Sequence, residues 1–107
     1  ALKWGSTDVY NEDARGNPIY DWKILDRIFD SYLQAGVKPY VEIGFMPKAL
    51  STNPEPYQHE FRFGVGGNIY TGWTYPPKDY AKWGELVYQW AKRSVDRYGA
   101  AEVEKWY

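Results

Sequence analysis

Few side chains in this sequence have types and surroundings that could do chemistry. Glu42 stands inside Tyr40-Val41-Glu42-Ile43-Gly44, a short apolar run. On a strand, Val41 and Ile43 face one side while Glu42 faces the other with Tyr40 and Gly44. A carboxylate so placed can act as a general acid or base. It can equally be a buried polar group satisfied by neighbouring donors. The second reading is favoured, because two-carboxylate chemistry needs a partner acid. Glu102 and Glu104 fall at the start of a later expected strand, the wrong end to supply one. His59, in Tyr57-Gln58-His59-Glu60, is the single histidine and cannot build a multi-histidine metal site. No Ser and carboxylate near it suggest a triad, so it reads as a solvated or loop-packing residue. Gly64-Val65-Gly66-Gly67-Asn68 fails as a phosphate cradle, lacking the third glycine and a following Lys-Ser/Thr. Cysteine is absent, which removes disulfides, thiolate nucleophiles and zinc–cysteine sites together. No metal and no cofactor is therefore expected.

The chain has 107 residues, enough for one small domain, and a net charge of −1. That balance gives no electrostatic case for nucleic acid or an anionic membrane. Apolar runs are only a few residues long, too short for a bilayer span. The start, Ala1-Leu2-Lys3-Trp4-Gly5, shows no signal peptide and no initiator Met, as expected of a numbering that begins inside a longer or processed chain. Compartment and oligomeric state stay open. The unusual quantity is aromatic content, 20%, with 11 Tyr and 6 Trp. Rings with one apolar face and a polar tip suit wet clefts and stack on sugars, although core packing is their commoner fate.

Two helices are expected to position whatever the chain binds. Residues 5–20 read as a loop or short hairpin, with the turn formers of Asn11 to Pro18 between Val9-Tyr10 and Ile19-Tyr20. Trp22, Leu25, Ile28, Phe29, Tyr32 and Leu33 recur at helical spacing and predict a helix from Trp22 to Ala35. Asp21 is its expected N-cap and Gly36 its stop, with Asp26, Arg27, Asp30 and Gln34 on the solvent face. Lys38 to Phe45 reads as a buried strand. Residues 46–77 form a long loop too aromatic for disorder. A second helix spans Tyr80 to Tyr98, capped by Asp79 and ended by Gly99, its apolar stripe running from Tyr80 and Trp83 to Val95 and Tyr98. Lys92, Arg93 and Arg97 lie on its exposed part, where cations complement the helix dipole. Val103 to Tyr107 reads as the start of another strand. Helix, strand, loop, helix, strand is an α/β order with parallel strands, and ligands bind at the C-terminal strand ends of such sheets.

Several segments resemble one family together. They are Tyr20-Asp21-Trp22, the run Ala35-Gly36-Val37-Lys38-Pro39-Tyr40-Val41-Glu42-Ile43-Gly44-Phe45-Met46-Pro47-Lys48-Ala49-Leu50, and Tyr75-Pro76-Pro77-Lys78-Asp79-Tyr80-Ala81-Lys82-Trp83. Arg97-Tyr98-Gly99, Glu102-Val103 and Trp106-Tyr107 follow in the same order. The chain resembles glycoside hydrolase family 39, β-xylosidase type, from about Tyr10 to Tyr107.

That resemblance implies part of a (β/α)₈ TIM barrel, about helix two to the start of strand four, with residues 1–107 in one catalytic domain. Such a barrel takes roughly 250 residues, so this length cannot close one. It implies a retaining exo-β-xylosidase acting on xylo-oligosaccharides, with the rest of the barrel as this chain's partner. The family's acid/base Glu sits in a Trp-Asn-Glu-Pro motif at the end of strand four, and its nucleophile on strand seven. Neither falls within this sequence, so no catalytic residue is assigned. Phe45, Phe63, Tyr70 and Trp73 are the implied sugar-wall residues. The loop through Asn53 to His59 and Ile69 to Trp73 is longer than usual for the family, which would narrow the pocket toward short oligosaccharides. Other glycoside specificities on the same barrel (α-L-iduronide, arabinofuranoside) and a non-catalytic, all-β sugar-binding module are the rival readings. If the family reading holds, Trp-Asn-Glu-Pro follows Tyr107 within about ten residues, roughly one strand and its exit; sequencing the gene beyond this point checks it.

Overall fold

The computed structural model describes residues 2–3, 7–55 and 72–107. In chain order the elements are β1 (Leu2–Lys3), β2 (Tyr10–Glu12), β3 (Pro18–Tyr20), α1 (Lys23–Gln34), β4 (Ile43–Gly44), α2 (Tyr80–Tyr98) and α3 (Ala100–Val103). Single 3₁₀ turns occupy Lys48–Leu50 and Gly72–Thr74.

One carboxylate builds the expected hairpin. Asp13 Oδ1 accepts from the backbone N–H groups of Arg15 and Asn17 at 2.8 and 2.9 Å, and Oδ2 accepts from the Asn17 amide at 3.1 Å. Led by Asn17, these donors hold the Asp13 carboxyl below its usual range. Gly16, at φ +80°, takes the left-handed position. β2 and β3 then pair antiparallel, Tyr10 opposite Tyr20 and Glu12 opposite Pro18.

Both helices form where their apolar spacing predicts. At the start of α1, Trp22 holds the cap position without a side-chain bond, and Asp21 accepts from Lys23 N at 3.1 Å. The expected Asp21 cap is thus displaced one residue outward. The end of α1 is a Schellman closure: Val37 N donates to Tyr32 O at 2.9 Å and Gly36 N to Leu33 O at 3.1 Å, with Gly36 at φ +71°. Asp79 caps α2 as expected, accepting from Ala81 N and Lys82 N at 2.9 and 3.2 Å.

The strands differ from expectation. Of the segment 38–45, only Ile43–Gly44 forms a ladder, parallel to β1 with Leu2 opposite Ile43. Val103 is not the start of a strand. Past Gly99 the chain turns once more as α3, because Ala100 and Ala101 favour helix and Glu104 N bonds back to Ala100 O. Parallel pairing begins only at Tyr107, whose N donates to Pro39 O at 3.1 Å and whose O accepts from Val41 N at 2.6 Å.

Val9 and Tyr10 from the hairpin, Leu25 and Phe29 from α1, Met46 and Leu50 from the loop, and Leu86 from α2 make the core. Phe29 stacks on Trp106 with centroids 5.2 Å apart, joining α1 to the residues after α3. The facing sides of α1 and α2 carry charge. Arg93 Nε donates to Asp26 at 3.1 Å, Arg97 Nε to Asp30 at 3.1 Å, and the Tyr98 hydroxyl to Asp30 at 2.7 Å. Asp26 and Asp30 are therefore not a plain solvent face, and Arg93 and Arg97 do more than complement the helix dipole. Burial first, then the Asp30 hydrogen bond, pushes Tyr98 up to about 12. Conversely, the outer part of the α2 stripe stays open: Tyr80 is 72% exposed and Val95 40%. No helix among the described residues is long and apolar enough to cross a membrane.

Glu12 fastens the hairpin to the opening of α2. Its side chain is only 8% exposed, and it accepts from Lys78, from Lys82 at 2.6 Å and from the Tyr10 hydroxyl at 3.1 Å. Lys82 also donates to Gly16 O at 2.7 Å. Burial works against the Glu12 anion, but the three donors outweigh it and hold the carboxyl below its ordinary value. Its stabilisation is therefore full above the ordinary carboxylate value of 4.5 and fades as pH falls through the lower folded value. Glu12→Ala should cost about 1–3 kcal/mol at neutral pH, because two ammonium groups and a phenol lose their shared acceptor. Denaturant melts of both proteins at neutral and acid pH check this, with the gap narrowing in acid.

Candidate functional site

At the C-terminal end of β4 the chain enters two loop strands that are stitched together. Met46 N donates to Trp73 O at 3.1 Å, Thr52 N to Pro76 O at 3.0 Å and Lys78 N to Leu50 O at 2.7 Å. Ser51 bridges opposite Pro77, and its buried hydroxyl donates to Gly72 O at 2.8 Å. Asn53 N returns a bond to the same hydroxyl at 3.2 Å. These bonds bring together two of the four expected wall residues. Phe45 and Trp73 stack with centroids 4.4 Å apart and planes 7° from parallel. Each ring covers one face of the other, so a third ring can meet only an outer face. Phe63 and Tyr70, the other two expected wall residues, lie outside the described residues, as do His59 and the Gly64 to Asn68 run.

Glu42 is exposed, not the buried and satisfied carboxylate favoured from sequence. The reason is local: the described residues leave one face of its segment uncovered, and Tyr40 beside it is 68% exposed. Among the described residues no three His, Cys, Asp or Glu side chains gather as metal ligands would.

Depressions also open on the surface of the described residues. A groove of about 390 Å³ between α1 and α2 is lined by Trp22, Gln89 and the ion-paired Lys92, Arg93 and Arg97. A larger open cleft, about 780 Å³, adjoins the stitched loop, with Asn11, Glu12, Lys48, Ser51, Thr52 and Lys78 in its lining. Sequence reading passed over Glu12, Asn11, Ser51 and Thr52. For Glu12 a signal exists: Lys78 and Lys82 stand four apart around a helix start, and so share a face that calls for an acid. The other three carry only turn-like composition.

The parallel strand pairs and the helices between them accord with the following comparisons. A family model described as Glycosyl hydrolases family 39 matches residues 4–107. The chain belongs to this family. A β-xylosidase from Geobacillus stearothermophilus is 38% identical over 101 residues, covering 92% of this chain and 18% of the relative. A β-xylosidase from Caldicellulosiruptor saccharolyticus is 36% identical over 83 residues, covering 78% of this chain and 15% of its own length. The crystal structure of the GH39 enzyme from Xanthomonas axonopodis pv. citri superposes with a TM-score of 0.70 at 34% identity, covering 95% of this chain and 18% of that one. This family 39 chain thus spans less than a fifth of the relatives it matches, and it is a partial piece of a TIM-barrel architecture.

Ser51→Ala should destabilise the stitched loop by about 1–2 kcal/mol, because a buried carbonyl and an amide lose their partner. A melt of the variant measures the loss, and tryptophan emission checks that Trp73 has become more exposed to water.

Proposed function

We propose that residues 1–107 form one wall of the sugar pocket in the catalytic domain of a retaining exo-β-xylosidase, which removes xylose from β-1,4-linked xylo-oligosaccharides. The parallel pairing of β1 with β4, and of Tyr107 with the Pro39 to Val41 segment, supports reading these three segments as strands two, three and four of a (β/α)₈ barrel. On that reading α1 and α2 are the helices between them. Apolar residues left open at Tyr40, Ile43, Tyr80 and Val95 suit contacts with the rest of the barrel. The helices also weigh against an all-β sugar-binding module.

A retaining glycosidase needs a carboxylic acid to protonate the leaving oxygen and a carboxylate about 5–5.5 Å away to attack the anomeric carbon. Exposed Glu42, without a partner acid on its strand, suits neither role; we assign both to glutamates outside residues 1–107. This chain's contribution is orientation. The Phe45–Trp73 stack, at the strand end where barrels bind ligands, is the observation that carries the reading. An outer face of that stack packs on the C–H face of the xylose ring. Backing one ring with another fixes its tilt, so the sugar meets a surface already in position.

In the complete enzyme, Trp73→Ala should lower kcat/KM on nitrophenyl β-xyloside about ten- to thirtyfold, the value of one lost ring contact. The isolated 107-residue chain should show no turnover on the same substrate. Clear turnover by the isolated chain overturns the assignment of both catalytic groups, and faster cleavage of an aryl iduronide or arabinofuranoside by the complete enzyme overturns the xylose specificity.

A further inference from the structure

The ion pairs between α1 and α2 leave donors over on their outer side. Asp26 N donates to Trp22 O at 2.8 Å, so Trp22, Asp26 and Asp30 follow one another a turn apart along α1. Gln89, Arg93 and Arg97 do the same along α2. The bonds of Arg93 to Asp26 and of Arg97 to Asp30 fix the alignment, which sets Trp22 level with Gln89. Trp22, Gln89, Arg93 and Arg97, with Lys92 and Asp96 beyond them, line a groove of about 390 Å³. That lies inside the roughly 300–1,000 Å³ of small-molecule sites. No lining residue belongs to the stitched loop or to the end of β4.

The lining presents positive charge. Each guanidinium engages its aspartate through Nε and Nη2, Arg93 with Asp26 and Arg97 with Asp30. Nη1 of each makes no bond among the described residues, which leaves two N–H donors apiece. Asp26 and Asp30 are not part of the lining, whereas both guanidinium groups are. Lys92 adds an ammonium held by Asp96 at 2.7 Å. That pair is open to water, 54% and 62% at the two side chains, so it yields readily to a better acceptor. The Gln89 amide nitrogen donates to Glu85 at 2.7 Å, and its carbonyl oxygen stays available to a hydroxyl. Trp22 supplies a ring at one end. Tyr20 stacks on it, centroids 5.5 Å apart and planes 15° from parallel, so a ligand meets the other face of a ring already held in place. The Trp22 indole N–H has no partner among the described residues.

A ring beside guanidinium forks selects a ligand that answers both. A compact anion would leave the ring bare, and a neutral sugar would leave the cations unanswered. A pyranose that carries a carboxylate lays its C–H face on Trp22 and gives its oxygens to the free edges of Arg93 and Arg97. From Gln89 to Arg97 the helix rises roughly 12 Å, about the length of two sugar units. We propose that this groove is a separate binding site for an acidic glycan, a short chain of pyranoses bearing uronate carboxylates. The proposal is independent of the xylosidase reading, since no residue of the aromatic wall takes part. Calorimetric titration of the complete enzyme tests it, with a β-1,4-linked glucuronate trimer and with cellotriose, the same chain with each carboxylate reduced to a hydroxymethyl. The acidic trimer should bind about tenfold more tightly, the value of one charge-assisted hydrogen bond. Lys92→Glu should abolish that preference and Asp96→Asn should enlarge it about threefold, opposite effects that loss of folding cannot imitate. Both variants should turn over nitrophenyl β-xyloside as the parent does. Trp22→Ala should weaken both trimers about tenfold, and if it fails to fold the two charge variants decide. Inorganic phosphate, an anion with no ring face, should bind at least about tenfold more weakly than the acidic trimer. Equal affinity for the two trimers, no binding of either, or a preference that survives Lys92→Glu overturns the site. Phosphate that binds as tightly as the acidic trimer overturns its assignment to a glycan.

Discussion

Everything around the site depends on one buried carboxylate. Glu12 sits on a hairpin strand, and its acceptors are satisfied by two lysines from the approach to α2 and its first turn, and by its near neighbour Tyr10. A carboxylate whose side chain is this covered is costly unless its oxygens find donors, and here two of them come from 66 and 70 positions further along the chain. The fold therefore cannot place the hairpin without also placing the entrance to α2. Lys82 completes the arrangement by reaching past Glu12 to Gly16 O at the hairpin tip.

The helix pair follows a related logic with less burial. Carboxylates one turn apart on α1, Asp26 and Asp30, meet guanidinium groups one turn apart on α2, Arg93 and Arg97. Planar forks matched at equal spacing set the relative height of the two helices as well as their contact. Apolar packing alone is less specific, since Phe29, Trp90 and Trp106 present broad surfaces that tolerate sliding. A tall apolar stripe and a ladder of forks thus do different work on the same interface.

Legibility in the sequence tracked how local each cause was. Asp79, Gly36 and the Asn11 to Pro18 turn act within a few residues, and each is found where the sequence puts it. The strand at Val103 failed because β-branching there was weighed above the helix tendency of Ala100 and Ala101 and the bond from Glu104 back to Ala100. Asp26, Asp30, Arg93 and Arg97 looked solvated because their partners are more than sixty positions away. Glu42 looked buried because its segment reads as an interior strand, whereas its cover is missing from the described residues. For the site, motif resemblance pointed to Phe45 and Trp73, and only three dimensions brought them face to face. The Asn11 and Thr52 cleft had no pattern to announce it, being assembled from single residues on unrelated turns.

The stitching of Met46 to Trp73, Ser51 to Gly72 and Thr52 to Pro76 has an evolutionary consequence. Both feet of the intervening loop are clamped, so its ends are already together whatever lies between. Lengthening such a loop adds closure entropy only logarithmically, about 0.6 kcal/mol for each doubling. Relatives are thus free to insert, delete or decorate the segment between Asn53 and Thr71 without disturbing the ring pair below it. Selection can then rewrite the intervening segment while the foundation below it stays unchanged.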